Sequence, residues 1–202
     1  MKHRSSQILF GHWNERRANR LVPERGEIDP AGIRAALGDT FILAFNPLTE
    51  HPFRLAGTRV CALFGRELKG AAFADLWSDA GTPITRLVAT AADESVGVVA
   101  GVIGESEDGR TVELELLLLP LRHCGQSHLR LIGSLAPMSA PYWLGVTKLV
   151  ELNLGDHRFV GQRTQPRQKV VALPAVAGGG SRMRGGLVVY EGGRQKDFAT
   201  SD

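Results

Sequence analysis

Cysteine is scarce in this chain. Cys61 and Cys124 are the only two among 202 residues, far apart and without Cys or His neighbours at zinc-ligand spacing. That removes a disulfide framework or a structural zinc site as the basis of the fold. Long apolar runs are missing too. The richest, LELLLLPL at residues 114 to 121, carries a glutamate and a proline and is far too short to span a bilayer, so it reads as a buried strand. The opening MKHRSSQILFGHWNERR is basic, but Ile8-Leu9-Phe10 is only a fragment of the apolar region a secretory signal needs. Export is not expected, and a reducing cytoplasm is the expected compartment. Acid is absent from His157 to Tyr190, where Arg158, Arg163, Arg167, Lys169, Arg182 and Arg184 supply six bases within a formal net charge of +3.

What is present fits a soluble globular protein, with 43% apolar and 22% charged residues in a length that suits one domain plus some extra chain. Residues 7 to 20 read as a short helix with Phe10 and Trp13 on its apolar stripe and Arg16, Arg17 and Arg20 toward water. Asp29-Pro30 reads as a capped helix start and Gly38 as its end. FILAFN, at 41 to 46, and HPFRLAGT give two strands. Thr82-Pro83 opens a helix in which Ile84, Leu87, Val88 and Ala91 share one face.

Three further strands follow. VGVVAGVIGE and RTVELELLLLPL flank ESEDG, with Asp108-Gly109 read as a tight turn with positive backbone dihedrals, and SHLRLIGSLAP is the last. In the middle one, Val112, Leu114, Leu116 and Leu118 share a face, while Glu113 and Glu115 on the other give way to Leu117 and Leu119. One face is core, and part of the other needs a cover, for which the N-terminal helices are the candidates. Two early and three late strands split by helices make an α+β pattern rather than an alternating nucleotide fold. VTKLVELNLGDHRFVG holds a strand or a short helix, and Pro166, Pro174, Gly178-Gly179-Gly180 and Gly185-Gly186 predict extended, flexible chain after it.

The strand FRLAGT, the helical turns RVCALFGREL and then KGAAFADLW resemble the early half of a PAS domain, and TPITRLVATAADES with the three late strands resembles its later half. Trp13, Pro23, Arg25 and Asp29-Pro30, with RLAGTRVCALFGRELKG and Asp75-Leu76-Trp77, resemble more closely a bacterial family of small proteins that consist of little more than one variant PAS domain. The likeness covers roughly residues 8 to 140. It implies a five-stranded antiparallel sheet with helices on one face, an N-terminal helical extension at 1–38, a PAS-like core at 39–140 and a largely flexible extension at 141–202.

In such a fold the candidate pocket wall is Phe45, Leu55, Leu116 and Leu131 from strands, with Cys61, Phe64, Trp77 and Leu87 from helical segments. Phe64, Phe73 and Trp77 line a cavity for an apolar molecule or simply complete a core, the commoner case. Gly57, Gly65 and Gly70 lack the spacing of a phosphate loop and read as a strand end and two helix boundaries. Cys61 has no base at a telling spacing and reads as a small packing residue. The flavin-attachment motif NCRFLQ of photoactive PAS domains is absent, and the helix from Thr82 to Ser95 has no histidine for haem. His51 and His123 read as loop residues, so neither cofactor nor metal is expected. Arg54 and Arg59 recognise a carboxylate or stay solvated.

Phe10, Trp13 and Arg17 cap the core or form a self-association surface, and the resemblance makes a homodimer plausible. The function this supports is a non-enzymatic sensory or regulatory module that binds a signalling protein, such as a sensor kinase, and a small ligand if its core admits one. The alternatives are a constitutive adaptor or localisation factor with a sealed core, and a tail that binds nucleic acid or anionic membrane. The tail's bases are diluted among Gly and Pro without interleaved aromatics, which disfavours the last.

Overall fold

The computed structural model describes residues 1–78, 82–122 and 130–161, together with the backbone of Arg182–Arg184 and Leu187–Val189. The chain divides into two units, Met1–Arg163 and Thr164–Asp202. The first is built on one antiparallel sheet of six strands, β1 (Thr40–Ala44), β2 (Phe53–Ala56), β3 (Gly97–Ser106), β4 (Thr111–Leu121), β5 (Arg130–Pro137) and β6 (Leu149–Val160), in the order β2-β1-β5-β4-β3-β6. The helices are α1 (Arg4–Arg17), α2 (Thr58–Phe64) and α3 (Thr82–Asp93). In the second unit β7 (Arg182–Arg184) and β8 (Leu187–Val189) pair antiparallel.

Alternation along the central strands sorts the side chains into two cores. Val112, Leu114, Leu116 and Leu118 of β4 face α2 and α3, and Leu117, Leu119 and Leu121 face α1. We call these the inner and outer faces. The α+β expectation holds, and the N-terminal helix does cover part of the second face, so helices lie on both sides. Each large apolar side chain removed from water in this way contributes about 1.5–3 kcal/mol.

α3 buries Ile84, Leu87, Val88 and Ala91, the stripe its spacing predicts. α1 begins earlier than expected because the His3 side chain caps it, with Nδ1 accepting from the Ser5 N–H at 3.1 Å. Its buried stripe is Leu9 and Trp13 rather than Phe10 and Trp13. The segment after Pro30 forms a turn and a 3-10 helix, Arg34–Asp39, with Asp29 Oδ1 accepting from the Ala31 N–H at 2.9 Å. At the β3–β4 hairpin only Gly109 has a positive φ, 79°, and the Gly109 N–H donates to Ser106 O at 2.9 Å. The loop between the strands is thus Glu107-Asp108-Gly109-Arg110, and of the two residues read to have positive dihedrals only Gly109 does.

Of the two readings of VTKLVELNLGDHRFVG the strand is the one found, as β6, and the extension expected to be largely flexible from 141 onward begins with ordered structure: Trp143, Leu149 and Leu152 are buried in the inner core, and β6 pairs with β3 from Gly97↔Val160 to Ser106↔Leu149. The first unit therefore runs past the expected boundary at 140 and has one strand more than expected. The rest of the basic tail lies outside the described residues, apart from the backbone of β7 and β8. Among the described residues no helix is long and apolar enough to cross a membrane.

Candidate functional site

The opening of α2 is held by a close approach. The Gly57 N–H donates to Thr40 O at 2.8 Å, and a Cβ there would lie 2.3 Å from Leu37 O and 2.4 Å from Gly38 O. Only glycine lets the chain turn from β2 into α2 against the 3-10 segment. At the other end Gly65 takes φ 60°, its N–H bonding Ala62 O while that of Arg66 reaches Cys61 O, a Schellman ending. These glycines shape a wall, as the strand end and helix boundary they were read to be.

Behind that wall the inner core is filled with aromatic rings. Phe73 packs against Phe41, Phe53 and Trp77 with centroids 5.6 Å apart in each pair. Of the expected pocket residues, Phe64, Trp77, Leu87, Leu116 and Leu131 are buried together here, and Phe45 and Cys61 pack against them. Leu55 does not join them and is 46% exposed. A bulge between Ile42 and Leu43 shifts the pairing so that Leu55 lies opposite Ile42, on the outer face at the sheet edge. Cys61 Sγ lies 4.0 Å from Ala56 O and 3.8 Å from Glu67 Oε1, so its neighbours are a carbonyl and an acid. Cys124 and His123 lie outside the described residues.

Two polar atoms interrupt this core. His51 is 1% exposed, stacks on Phe45 at 5.2 Å, and accepts the Asn46 N–H on Nδ1 at 3.3 Å. The neutral ring therefore carries its proton on Nε2, which is buried without a partner among the described residues, as is the Trp77 Nε1–H. Burial holds the His51 pKa below its ordinary value. The loop reading of His51 was right about the element and missed the burial, which follows from the loop folding back so that Glu50 O accepts the Phe73 N–H at 3.1 Å.

Arg59 finds its carboxylate within the chain. Its Nε and Nη2 donate to Oδ1 and Oδ2 of buried Asp39 at 2.7 and 2.8 Å, and Ser5 Oγ donates to Oδ2 at 2.5 Å. Burial alone would raise the Asp39 pKa, but the Arg59 and Ser5 hydrogen bonds and the arginine charge outweigh it and hold the carboxyl below its usual value. One acid thus ties together α1, α2 and the 3-10 segment.

The expected self-association surface is largely used up inside the chain. Trp13 is fully buried, and its Nε1–H donates to Pro120 O at 2.8 Å. Phe10 stacks on it at 6.0 Å, and Arg17 sits 4.9 Å over its ring while donating to Gly161 O at 2.7 Å. Trp13 is the plug of the outer core, because leucines of β4 on that face need an apolar lid.

Beside this lid the outer face opens into a groove of about 580 Å³. Its floor is Val99, Gly101 and Ile103 of β3, and its rims are Met1 and Lys2, Glu113 and Glu115 of β4, Met138, and Gly155 to Arg158 of β6. Glu115 is buried, with Oε2 accepting the Lys2 N–H at 2.6 Å and Oε1 the His3 N–H at 2.9 Å, so it fixes the approach to α1 along one rim. Ile103 and Met138 stay 39% and 37% exposed. Sequence reasoning missed this groove because one of its walls is β6. The signal was the alternation of Glu113 and Glu115 with core leucines, which leaves that end of the outer face polar. Among the described residues no three His, Cys, Asp or Glu side chains converge as a metal site would require.

An antiparallel sheet of this order, with helices packed over the inner face and one N-terminal helix over the outer, defines a small α+β domain. Residues 1–136 match the family model described as a PAS domain, and the chain belongs to that family. Among solved structures it is similar to a light-oxygen-voltage domain studied with a flavin analogue, at 15% identity over 55% of this chain and 85% of that one, TM-score 0.43. It is similar also to the light-state LOV domain of the blue-light photoreceptor Aureochrome1, at 17% identity over 57% and 91%, TM-score 0.41. An RNA-binding light-oxygen-voltage receptor matches at 19% identity over 61% of this chain but only 36% of that one, TM-score 0.42. No curated protein matches the sequence.

Proposed function

We propose that the chain is a regulatory PAS module that acts by binding a protein partner in the outer-face groove, without chemistry of its own. The observation that carries this reading is the groove itself: half-exposed Ile103 and Met138 between charged rims of Lys2, Glu113, Asp156 and Arg158. An apolar floor with a polar border is the usual make-up of a partner surface. A signalling protein such as a sensor kinase is the partner class that suits a domain of this family, and the compartment is the cytoplasm. The test is affinity capture from native extract with the wild type and with Ile103→Glu/Met138→Glu, quantified by mass spectrometry. A discrete protein lost from the folded variant supports the reading; identical captured sets contradict it.

A second reading rests on the bare donors of His51 and Trp77. Both border the aromatic inner core, and a buried N–H without an acceptor costs about 1–3 kcal/mol. A small ligand with a carbonyl or carboxylate head would relieve that cost and couple occupancy to the partner surface through the sheet. Native mass spectrometry of the protein purified from its own cells, with thermal shifts across small carboxylic acids, tests it. A bare chain mass and no shift would leave the sealed-core adaptor as the better description.

A further inference from the structure

β6 is a sheet edge whose two halves differ. The half from Leu149 to Asn153 is covered, since the Ser78 N–H donates to Leu152 O at 3.0 Å and Ser78 Oγ to Asn153 Oδ1 at 2.7 Å. A bulge marks the change, where β6 sets Gly155 and Asp156 against the single residue Gly101 of β3, and from there Gly155 to Phe159 are all exposed. No strand pairs with β6 on its far side among the described residues. Edge strands of soluble proteins are commonly protected by proline, by charge, above all lysine, or by a bulge; β6, LVELNLGDHRFV, has neither lysine nor proline, and its bulge leaves His157 to Val160 in regular register on β3.

We infer that this half-strand is a dimer interface, pairing antiparallel with the same segment of a second copy about a two-fold axis at His157. In such pairing the residue k places before the axis lies opposite the residue k places after it. Asp156 then faces Arg158 of the second copy, and Arg158 faces its Asp156, giving two opposite-charge cross-strand pairs. Arg158 lies opposite Val99, which belongs to the outer core, so both pairs stand on the outer face. On the other face Phe159, 39% exposed, lies across from Gly155 of the second copy, and Gly155 has no side chain to obstruct it. His157 sits edge-on to Phe159 at 6.1 Å, beside the axis.

The register is self-selecting. A two-fold perpendicular to a continuous sheet pairs only residues that share a face, so the axis can slip only by whole residues. Moving it to 156 sets Asp156 against its own copy, and moving it to 158 does the same to Arg158. Charge complementarity thus singles out a second copy of this chain as the occupant of the edge. Because Gly155 to Arg158 also form a rim of the outer groove, pairing would bring two grooves side by side across the axis.

Sedimentation velocity of the full chain from about 1 to 100 µM tests the inference, with circular dichroism to confirm each variant is folded. The wild type is expected to dimerise. Arg158→Asp creates two like-charge pairs and should weaken the dimer about tenfold. The swap Asp156→Arg/Arg158→Asp restores complementarity and should recover it. A wild type that stays monomeric, a dimer indifferent to Arg158→Asp, or one that the swap fails to rescue overturns the proposal. None of these outcomes depends on whether a heterologous partner occupies the groove.

Discussion

His51 combines burial, a bonded Nδ1 and a bare Nε2–H, and the combination has a thermodynamic consequence. The unfolded chain takes up a proton at this ring near the ordinary value of 6.5, whereas the folded chain resists protonation until a lower pH. Between those two values the unfolded state binds more protons, so the folded state loses stability as pH falls below about 6.5 and the group has no effect above it. His51→Asn suits the positive φ of 60° at this position and keeps an acceptor near the Asn46 N–H. Denaturant midpoints of the wild type should therefore fall more steeply from pH 6.5 to pH 5 than those of His51→Asn. Parallel curves would show that the ring is not held neutral by the fold. Nothing in the sequence around His51 marks it as buried, because the loop's return to Phe73 is a tertiary event, while the strands that carry Phe41 and Phe53 were legible from their composition and Phe73 was read as lining a cavity or completing a core.

Elements with a strong period were legible and those defined by partners were not. α3 carries its stripe openly, and the two faces of β4 can be read from the change from glutamate to leucine. α1 carries a weak stripe in which serine and histidine share the buried side with Leu9 and Trp13, so its inward face is decided by what it meets on the sheet. Trp13→Ala should cost about 3–5 kcal/mol in chemical denaturation, the range for emptying a large buried aromatic site. Trp13→Phe, which loses only the bond to Pro120 O and part of the ring, should cost distinctly less. A surface role for Trp13 would instead leave both variants near wild-type stability. β6 was legible only as a strand or a short helix for a related reason: LVELNLGDHRFV mixes apolar and charged residues without clean alternation, since part of it is covered and part is edge.

At the scale of the whole unit, β6 turns an expected tail into part of the fold. A chain ending at residue 163 keeps Trp143, Leu149 and Leu152 in the inner core, and one ending at residue 140 removes all three. The shorter chain should be less stable than the longer by roughly 5 kcal/mol in denaturant titration, from the burial these side chains supply. Equal stabilities would mean that the sixth strand only rests on the sheet. The same strand supplies a rim of the outer groove, so the working surface proposed for this PAS module exists only when the strand is in place. Site-specific photo-crosslinking in the native cell, with the probe at Ile103 in the groove and a control at Leu48, 94% exposed, tests that claim most directly. The account predicts a discrete adduct with another protein from Ile103 and none from Leu48, and no adduct from Ile103, or the same adducts from both positions, would contradict it.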